Sequence, residues 1–423
     1  MGINFPSTPG IGEVYPLTPT PGLPQYVWDG SAWVLKSDGL GPTIYVSDTA
    51  PPGAIDGALW WSSTDGVLYL QYFDGDSRAW VQCAPSAADY AALQSYADVK
   101  SLKADDNLIL NCCMDISQEN GTTSISGLNL DKYIVDQWRC YVTSTAFTAQ
   151  KQGSQLVRGI DWVLGLFNNT PAWAPAAADQ AITFQAMEGQ RCAKLGWGGA
   201  GGQSVALGFW LYSHVGGTCM LSIRNVAGTR AYQTPITIPA AAWTYRTAVI
   251  PPCLDGVWVT DNTNWGYIGF CWGCGANQTA PAINAWGNNG LVSAPGQTNM
   301  FSTASVGCYV TGMTAVPGTV PVSQAQSVLM RRDPAEELLL CSRYFYQKAS
   351  GEDFLAGSRA GNSNDNASIF HPVPMRTTPS FTAVWDDATA GSIVRQGPRN
   401  LWLQSTNAAA GHYITSFKAS ARL

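Results

Sequence analysis

Short apolar runs, separated by Gly, Asn and Pro, follow one another from residue 107 to about residue 316. Runs of this kind that are rich in Val, Ile, Tyr and Trp and bounded by turn residues are typical of β-strands. The clearest of them are 132–142, 205–212, 219–224, 243–250, 266–271 and 306–311. So many short strands in one stretch predict a β-sandwich, most simply a jelly roll, which we place at 105–316.

The first 84 residues contain an imperfect repeat, which predicts two small β units at 1–40 and 41–84. Each unit has a Pro- and Gly-rich opening, an aromatic strand, an Asp-Gly turn and a closing Trp-Val strand. The turns are Asp29-Gly30 and Asp74-Gly75, where glycine accepts the positive φ that a hairpin turn needs. Because units of about 40 residues are near the lower limit for independent folding, each is expected to gain a core from the other or from symmetry-related copies.

Residues 85–104 break the strand pattern. They are rich in Ala and contain no Gly or Pro after Pro85, so they predict a helix. An apolar stripe of fewer than three heptads fits either a short helical neck in an oligomer or a lone linker helix.

The last part of the chain begins with a predicted linker at 317–332, followed by a second helix. We place Asp333 as the N-cap of this helix, Pro334 at its first position and Glu336 at its third, which is a capping-box arrangement. Strand and turn patterns return after the helix, so residues 333–423 predict a C-terminal β domain.

The composition fits a mainly β protein and excludes several classes. With 46% hydrophobic residues among 423, the chain buries too much apolar area to be disordered. Its 43 Gly and 25 Pro exclude long coiled coils and helical repeats. Only 12% of the residues are charged, about half of the usual fraction, which together with the many aromatic residues is typical of an outside-facing surface.

Charge and apolar runs also bear on partners. The formal charge is -6, and the 23 Lys and Arg residues form no basic stripe, so we expect no nucleic-acid partner. No run of about 18 apolar residues occurs, so we expect no membrane insertion. The N-terminus lacks the basic and apolar regions of a secretory signal, so we expect synthesis in the cytoplasm.

The eleven cysteines are too sparse for a small disulfide scaffold. Cys271 and Cys274 have the CxxC spacing of zinc and thiol-redox sites, but no second CxxC or His pair lies near them, so we expect buried thiols or a disulfide. The adjacent Cys112 and Cys113 are further disulfide candidates. Because the number is odd, at least one thiol stays unpaired within the chain, which leaves a bond between subunits as a hypothesis.

The sequence contains no recognisable catalytic or metal-binding motif. His214, His371 and His412 have no metal-ligand spacing, and no serine lies in a GxSxG elbow. A glycan-cleaving enzyme needs a pair of carboxylates, which a single sequence does not identify. We expect turn or solvated roles for the scattered carboxylates, which are Asp115, Asp136, Glu188, Asp255 and Asp261. We predict no cofactor, no metal and no catalytic residue.

The 17 tryptophans are the feature best suited to binding, because sugars present apolar C–H faces that stack on aromatic rings. Trp138, Trp210 and Trp243 lie in apolar runs and are expected in the core. Better candidates for a glycan-binding surface are Trp197, Trp265, Trp286 and Trp385, which lie in turn-rich contexts, and Trp402, on a strand whose facing the sequence leaves open.

Several of these segments resemble bacteriophage fibre and receptor-binding proteins. The matching segments are 4–15 and 26–34 (the repeats that begin many fibres), 107–122 with 133–138 (the start of a carbohydrate-binding-like jelly roll), 333–347 (the helix and strand before a C-terminal domain), and 372–379 and 417–423 (that domain). The cysteine content is richer than this pattern requires.

The resemblance implies an elongated fibre on a phage virion, and such fibres are usually homotrimers. Residues 1–84 would attach the fibre to other virion structural proteins at a tail, collar or capsid, and residues 333–423 would form its distal tip. The implied function is multivalent adhesion to a host surface polysaccharide or receptor, without catalysis. Two alternatives stay open: a fibre-borne glycan hydrolase (depolymerase), and a purely structural collar or head fibre without a ligand.

Overall fold

Backbone contacts divide the chain into two units, Met1–Lys100 and Ser101–Leu423. The computed structural model describes residues 5–18, 25–35, 44–54, 56–83, 103–153, 157, 159–169, 171–348, 354–355, 366–385, 391–405 and 413–423. The predicted helix at 85–104 lies outside the described residues, except for its last two positions.

The first unit begins with a three-stranded antiparallel sheet of β1 (Val14–Tyr15), β2 (Tyr26–Trp28) and β3 (Trp33–Leu35). The Asp29 carboxylate accepts hydrogen bonds from the backbone N–H groups of Ser31 and Ala32, both at 2.8 Å, and Gly30 has a φ of 104°. The predicted Asp-Gly turn between β2 and β3 is therefore confirmed.

A second sheet in the first unit has the order β4 (Ile44–Ser47), β5 (Leu59–Ser62), β6 (Val67–Phe73) and β7 (Arg78–Gln82). One side of this sheet forms a small aromatic core, in which the Trp60 ring stacks on Tyr69 with centroids 4.9 Å apart and lies 5.5 Å from Trp80. Asp74 caps the predicted turn before β7, since its carboxylate accepts from the Asp76 and Ser77 N–H groups at 2.9 and 2.8 Å.

The main unit is built on two antiparallel sheets that pack face to face around one core. Their strands are β8 (Lys132–Val135), β9 (Trp138–Val142), β10 (Phe147–Gly153), β11 (Trp162–Asn168), β12 (Gln180–Glu188), β13 (Val205–Ser213), β14 (Gly217–Asn225), β15 (Ala231–Ile238), β16 (Thr244–Ile250), β17 (Asn264–Cys274), β18 (Trp286–Gly287) and β19 (Gly307–Pro317). The five-stranded sheet has the order β10-β11-β19-β13-β16, and the seven-stranded sheet has the order β18-β15-β14-β17-β12-β9-β8.

Alternate residues of these strands fill the space between the sheets. Phe209 of one sheet meets Phe270 of the other with ring centroids 4.9 Å apart, and both are fully buried. Trp138 is also fully buried, and its indole N–H donates to the Asn111 carbonyl at 3.1 Å. The predicted mainly β, sandwich-type fold is thus confirmed, as is the core position of Trp138.

One predicted strand, 132–142, is two strands in the structure. It turns back at Asp136 and Gln137, and Gln137 has a φ of 72°, which L-residues seldom adopt. The buried Asp136 carboxylate accepts from the Gln118 backbone N–H at 2.9 Å and from its side-chain amide at 2.6 Å. A partner distant in sequence thus fixes a turn that the apolar pattern conceals.

Helices are few and short. The α-helices among the described residues are α1 (Gly189–Cys192), α2 (Gln324–Ser327) and α3 (Pro334–Ser342), and single 3-10 turns lie at Ala104–Asp106, Leu128–Leu130, Ala193–Leu195, Ala276–Gln278 and Val328–Met330. Asp333 caps α3, because its carboxylate accepts from the Ala335 N–H at 2.8 Å. The predicted N-cap is therefore confirmed.

The segment 317–332, which we predicted as a linker, packs onto the sandwich. Val322 and Met330 are buried in a small apolar cluster with Ala206 of β13. The Arg332 guanidinium is buried as well, where it pairs with Glu337 at 3.2 Å and donates to the Asn107 carbonyl at 2.7 Å.

Two further sheets complete the main unit. Their strands are β20 (Phe345–Lys348), β21 (Phe354–Leu355), β22 (Asn366–Phe370), β23 (Ser380–Trp385), β24 (Gly391–Gln396), β25 (Asn400–Ser405) and β26 (Tyr413–Ser420). β26 pairs with β20, β21 and β23, and β25 pairs with β22 and β24.

Polar contacts join the start and the end of this C-terminal region to the sandwich. The buried Glu188 carboxylate accepts from Arg343 at 2.7 Å and from the Tyr344 hydroxyl. The Arg376 guanidinium donates to the carbonyls of Asn262 and Ala421 at 2.7 and 2.9 Å. The base of the C-terminal region is thus part of the main unit, and the predicted domain boundaries stay a prediction.

His371 gives a test of the packing in this region. Its imidazole is buried 6.3 Å from the Tyr346 ring, and neither ring nitrogen has a hydrogen-bond partner within the described part of the chain. Burial lowers the pKa of His371 below its usual 6.5, so the unfolded chain takes up a proton at a higher pH than the folded protein does. The stability that depends on neutral His371 is present above about pH 6.5 and is lost as the pH falls toward the folded-state pKa.

The variant His371→Leu is therefore expected to show a smaller drop in the free energy of unfolding than the wild type between about pH 7.5 and about pH 5. Urea denaturation at the two pH values, followed by circular dichroism, measures both drops. Parallel pH profiles for the two proteins would contradict the assignment.

Candidate functional site

The outer face of the five-stranded sheet carries an unbroken row of aromatic side chains. Phe167 of β11, Tyr309 of β19, Tyr212 of β13 and Trp243, which precedes β16, are all partly exposed. The centroid distances are 5.4 Å from Phe167 to Tyr309, 5.3 Å from Tyr309 to Tyr212 and 5.6 Å from Tyr212 to Trp243. We call these four residues the aromatic strip.

Strand register places the aromatic strip. Tyr309 pairs with Tyr212 on one side and with Gly165 on the other, and Phe167 pairs with Gly307. Phe167 and Tyr309 meet edge to face at 89°, as do Tyr309 and Tyr212 at 81°. Tyr212 and Trp243 are tilted to each other by 47°.

Two glycines let the rings lie down on the sheet. A Cβ at Gly165 would come within 2.6 Å of the Phe167 ring, and a Cβ at Gly307 would come within 2.9 Å of the same ring. Both distances are shorter than any normal carbon contact, so a side chain at either position would push the rings away from the sheet.

Polar groups frame the aromatic strip. Thr148 is the cross-strand partner of Phe167, and Gln150 is the partner of Gly165, so both lie on the same face. His214 is exposed at the other side, with its ring 5.2 Å from Tyr212. His214 Nδ1 lies 3.0 Å from both the backbone N–H and the carbonyl oxygen of Gly307, so this nitrogen has a hydrogen-bond partner in either tautomer of the ring. The site thus combines aromatic surface with uncharged hydrogen-bonding groups.

Another part of this outer face is covered by the segment that carries α2. The Trp210 indole N–H donates to Ser327 Oγ at 3.3 Å, and the Tyr245 hydroxyl donates to the Val322 carbonyl at 2.6 Å. This cover ends before the aromatic strip, whose rings stay open to solvent in part.

The prediction of core positions for Trp210 and Trp243 is corrected by this arrangement. Phe209 and Leu211 take the inner face of β13 and are fully buried, so Trp210 between them faces outward. Trp243 lies on the aromatic strip. Both indoles border the core and are partly exposed.

Three of the tryptophans predicted at the surface form a cluster instead. Trp197, Trp265 and Trp286 surround Trp258, at centroid distances of 5.0, 4.3 and 5.8 Å. Trp197 and Trp265 are buried, with exposed fractions of 7% and 4%, so the prediction of surface exposure is wrong for them. The reason is that the glycine-rich loop folds inward, where the Trp197 indole N–H donates to the Gln203 carbonyl at 2.7 Å. Trp286 stays partly exposed.

The other two predicted tryptophans lie in the C-terminal region. Trp402 on β25 is partly exposed, and the Arg395 guanidinium lies 5.6 Å from the centre of its ring. Trp385 is the last residue of β23, and its side chain lies outside the described atoms. Their predicted contact with a glycan stays a prediction.

All eleven cysteines lie in the described residues and are free thiols. Cys112 and Cys113 are buried with their sulfur atoms 3.6 Å apart. Cys271 is buried and accepts from the Gln297 side-chain amide at 3.2 Å, while Cys274 is partly exposed. A hydrogen bond to Cys271 lowers the pKa of Cys274 to about 6. Of the two predicted states, buried thiols or a disulfide within the chain, Cys112, Cys113 and Cys271 are thus buried thiols.

The five carboxylates that we considered for catalysis each have another partner. Asp115 forms a two-point ion pair with Arg331 at 2.8 and 2.9 Å, and burial nevertheless raises the pKa of Asp115. Asp255 pairs with Arg230 at 2.7 Å, which lowers the pKa of Asp255. Asp261 caps its own turn through the Thr263 N–H at 2.9 Å.

Two of these residues, Asp136 and Glu188, hold the turn and the C-terminal contact described above. Asp136 has the expected turn role, although it is buried. Glu188 and, for the most part, the Asp115 carboxylate are also buried, so the expectation of a turn or solvated role is wrong for these two. Their partners lie up to 216 positions away in the sequence, where no local pattern points to them.

Groups of three or more His, Cys, Asp or Glu side chains that could hold a metal ion are absent from the described residues. Among the same residues, no helix is long and apolar enough to cross a bilayer.

No protein-family model and no curated protein matches the sequence. Among solved structures, the enzymatically active domain of tailspike protein 4 of bacteriophage CBA120 is 13% identical with a TM-score of 0.28, over 51% of this chain and 22% of that one. The family 11 carbohydrate-binding module of Clostridium thermocellum is 11% identical with a TM-score of 0.24, over 45% and 97%.

A third similar structure is the N-terminal CBM22-1-CBM22-2 tandem domain of Xyn10C from Paenibacillus barcinonensis, 8% identical with a TM-score of 0.27, over 76% of this chain and 92% of that one. The chain spans about a fifth of the length of the tailspike domain. Similarities this distant do not bear on what this chain binds or does.

The aromatic strip was missed at the level of sequence, although a weak signal exists. In both β11 and β19 a glycine is followed two positions later by an aromatic residue. The pairs are Gly165 and Phe167 in β11, and Gly307 and Tyr309 in β19. In a strand this spacing puts the glycine and the ring on one face, which lets the ring fold back over the glycine.

The tryptophan cluster gives a prediction about stability. Trp265→Ala is expected to lower the free energy of unfolding by about 3–5 kcal/mol, because it leaves a cavity beside the indoles of Trp197 and Trp258. Trp402→Ala, at a partly exposed position, is the matched control and is expected to lower the free energy of unfolding by a clearly smaller amount. Urea denaturation measures both, and equal losses would contradict the structural role of the cluster.

Proposed function

We propose that the protein is a non-catalytic adhesion protein of a phage virion that binds a neutral host-surface glycan on the aromatic strip. The observation that carries the proposal is the unbroken row of four partly exposed rings on one sheet face, on β11, β19 and β13 and just before β16. The virion role draws on the fibre-like order of segments in the sequence, and the glycan site draws on the chemistry of the strip.

The strip matches what a sugar chain offers. Pyranose rings have apolar C–H faces that stack on aromatic side chains and a rim of hydroxyl groups that need hydrogen-bond partners. Here the partly exposed rings of Phe167, Tyr212 and Trp243 offer the aromatic surface, while Gln150 and His214 at the two sides supply hydrogen-bond donors and acceptors. A pair of aromatic rings contributes about 0.5–1.5 kcal/mol beyond the area that it buries, and we expect a similar magnitude for a sugar stacked on one ring.

Charge favours a neutral glycan. The four strip residues and the framing Thr148, Gln150 and His214 include no Lys, Arg, Asp or Glu. A uronic or sialic acid would lose the hydration of its carboxylate here without gaining a cationic partner. We therefore expect neutral oligosaccharides to bind better than acidic ones of similar size.

Binding without hydrolysis is the simpler use of this surface. The five carboxylates considered above are held by Arg331, Gln118, Arg343, Arg230 and Thr263, and none of the five contacts another. A site built from a few stacked rings gives weak affinity, which several copies on one fibre would raise through effective concentration.

The test begins with the full-length protein on an array of neutral and acidic bacterial surface oligosaccharides. For the best neutral binder, Tyr212→Ala and Trp243→Ala are each expected to raise the dissociation constant by about 3- to 10-fold, because each removes one stacking contact. Phe370→Ala removes a ring that is 72% exposed elsewhere in the main unit and is expected to leave binding unchanged.

Three outcomes would overturn parts of the proposal. Binding that Trp402→Ala abolishes and the strip variants leave intact would move the site to the C-terminal region. Release of reducing sugar from a bound polysaccharide would favour the hydrolase. Background signal on the array and on host cells would favour a structural fibre without a ligand.

A further inference from the structure

The CxxC motif of Cys271 and Cys274 lies at the end of β17, and the proposed glycan site makes no use of it. β17 belongs to the seven-stranded sheet, whereas the aromatic strip lies on the five-stranded one. Cys271 is fully buried and Cys274 is partly exposed. The motif thus places a thiol that solvent can reach three positions away from a thiol that is shielded from it.

A β-bulge in β17 brings the two cysteines to the same face of the sheet. In a regular strand, residues three positions apart point to opposite faces and lie about 10 Å apart. In β17, however, the register against β12 skips Trp272, so that Cys271 pairs with Ile182 and Cys274 pairs with Gln180. One extra residue of this kind moves Cys274 to the face of Cys271. Both cysteines accordingly pack in one small apolar cluster, separate from the core between the sheets.

The bulge also brings the two cysteines within reach of each other. Their partners on β12 are two positions apart, so the Cα atoms of Cys271 and Cys274 lie about 6.5 Å apart. Disulfides join Cα atoms that are about 4.4–6.8 Å apart. The pair can therefore close to a disulfide with only a small movement at the end of the strand.

The side-chain amide of Gln297 spans the two sulfur atoms. Its Nε2 donates to Cys271 Sγ at 3.2 Å, and its Oε1 lies 3.9 Å from Cys274 Sγ. Thr279 Oγ1 lies 3.8 Å from Cys274 Sγ. These contacts hold both side chains at the site in the reduced state.

The two thiols differ in acidity. The hydrogen bond with Cys271 lowers the pKa of Cys274 to about 6, whereas burial raises the pKa of Cys271 well above its ordinary value. The thiolate is the nucleophile in thiol chemistry. The thiol that solvent can reach is therefore also the one that is ionised at neutral pH.

We infer that Cys271 and Cys274 form a thiol–disulfide exchange site that reacts with small disulfides from solution. Cys274 is the attacking thiol, and Cys271 is the thiol that resolves the mixed disulfide. The inference stands on the bulge and on the different accessibility of the two sulfurs, and it does not depend on the glycan site.

The exchange proceeds in two steps. The Cys274 thiolate attacks one sulfur of a disulfide RSSR, whose S–S bond breaks, so that a mixed disulfide forms and RS⁻ leaves. Cys271 then loses its proton and attacks Cys274 Sγ, which expels the second RS⁻. The two protons of the dithiol end on the two RS⁻ groups, so the protein is oxidised by two electrons and RSSR is reduced to two RSH.

The chain contains its own controls. Cys83 is exposed, and residues 1–100 contain no other cysteine, so Cys83 can form a mixed disulfide that no thiol of the same unit resolves. Cys112 and Cys113 have sulfur atoms 3.6 Å apart, but both are buried. The first control tests accessibility without a partner thiol, and the second tests a partner thiol without accessibility.

The test treats the folded full-length protein with hydroxyethyl disulfide at about pH 7, blocks the remaining thiols and locates the products by peptide mass spectrometry. The peptide with Cys271 and Cys274 is expected to lose two hydrogen atoms, whereas the Cys83 peptide is expected to carry half of the reagent. Cys112 and Cys113 are expected to stay reduced. In Cys271→Ser, Cys274 is expected to retain half of the reagent.

A second measurement follows the acidity of Cys274. In Cys83→Ser, alkylation of Cys274 by iodoacetamide is expected to reach half of its maximal rate near pH 6. A rate that rises only above about pH 8, as for an ordinary thiol, would contradict the role of Cys274 as the attacking group.

The wild-type measurement needs no substitution, and circular dichroism checks that each variant is folded. Wild type in which Cys271 and Cys274 stay reduced while Cys83 reacts would overturn the inference. So would a wild type that keeps the reagent on Cys274, because Cys271 would then not resolve the mixed disulfide. A disulfide that forms only in urea would overturn it as well, since the pair would then be closed to solvent in the folded protein.

The two proposals fail separately. Glycan affinity reports on the aromatic strip, and Cys271→Ser is expected to bind the best neutral oligosaccharide as the wild type does. The mass of the peptide with Cys271 and Cys274 reports on the exchange site alone.

Discussion

The alternation of side chains along β13, β19 and β11 is the constraint on which the structure of the main unit depends. Each strand must give every second residue to the space between the sheets and the others to the outside. In β13, Phe209 and Leu211 complete the core, so Trp210 and Tyr212 have to face outward. The same strand register therefore determines both the core and the aromatic strip. A shift of a strand by one residue would turn its core side chains outward and its strip side chains inward.

The outward-facing aromatic residues of this sheet are accommodated in two different ways. The segment that carries α2 packs over Trp210 and Tyr245 and satisfies their polar hydrogens. Among the described residues no such cover lies over the aromatic strip, and glycines beneath its rings let them rest against the sheet. A chain with so few charged residues thus keeps a limited apolar surface in contact with solvent, which is the pattern of a binding surface.

The sequence predicted well what depends on neighbouring residues. The Asp29-Gly30 turn, the Asp333 cap and most strands of the sandwich follow from short-range patterns, and the structure confirms them. It predicted poorly what depends on distant partners. The turn at Gln137 needs Gln118, and the buried Glu188 needs Arg343, which lies 155 positions away. The facing of Trp265 and Tyr212 depends on loop closure and on strand register, which periodicity within one strand does not determine.

The central claim, that the aromatic strip is where a glycan binds, is tested most directly by a crystal structure of the full-length protein with the best neutral oligosaccharide from the array. The account predicts sugar rings stacked against Tyr212 and Trp243, with hydroxyl groups within hydrogen-bond distance of Gln150 or His214. Density for the sugar at Trp402 or at the tryptophan cluster, with the strip left bare, would contradict it.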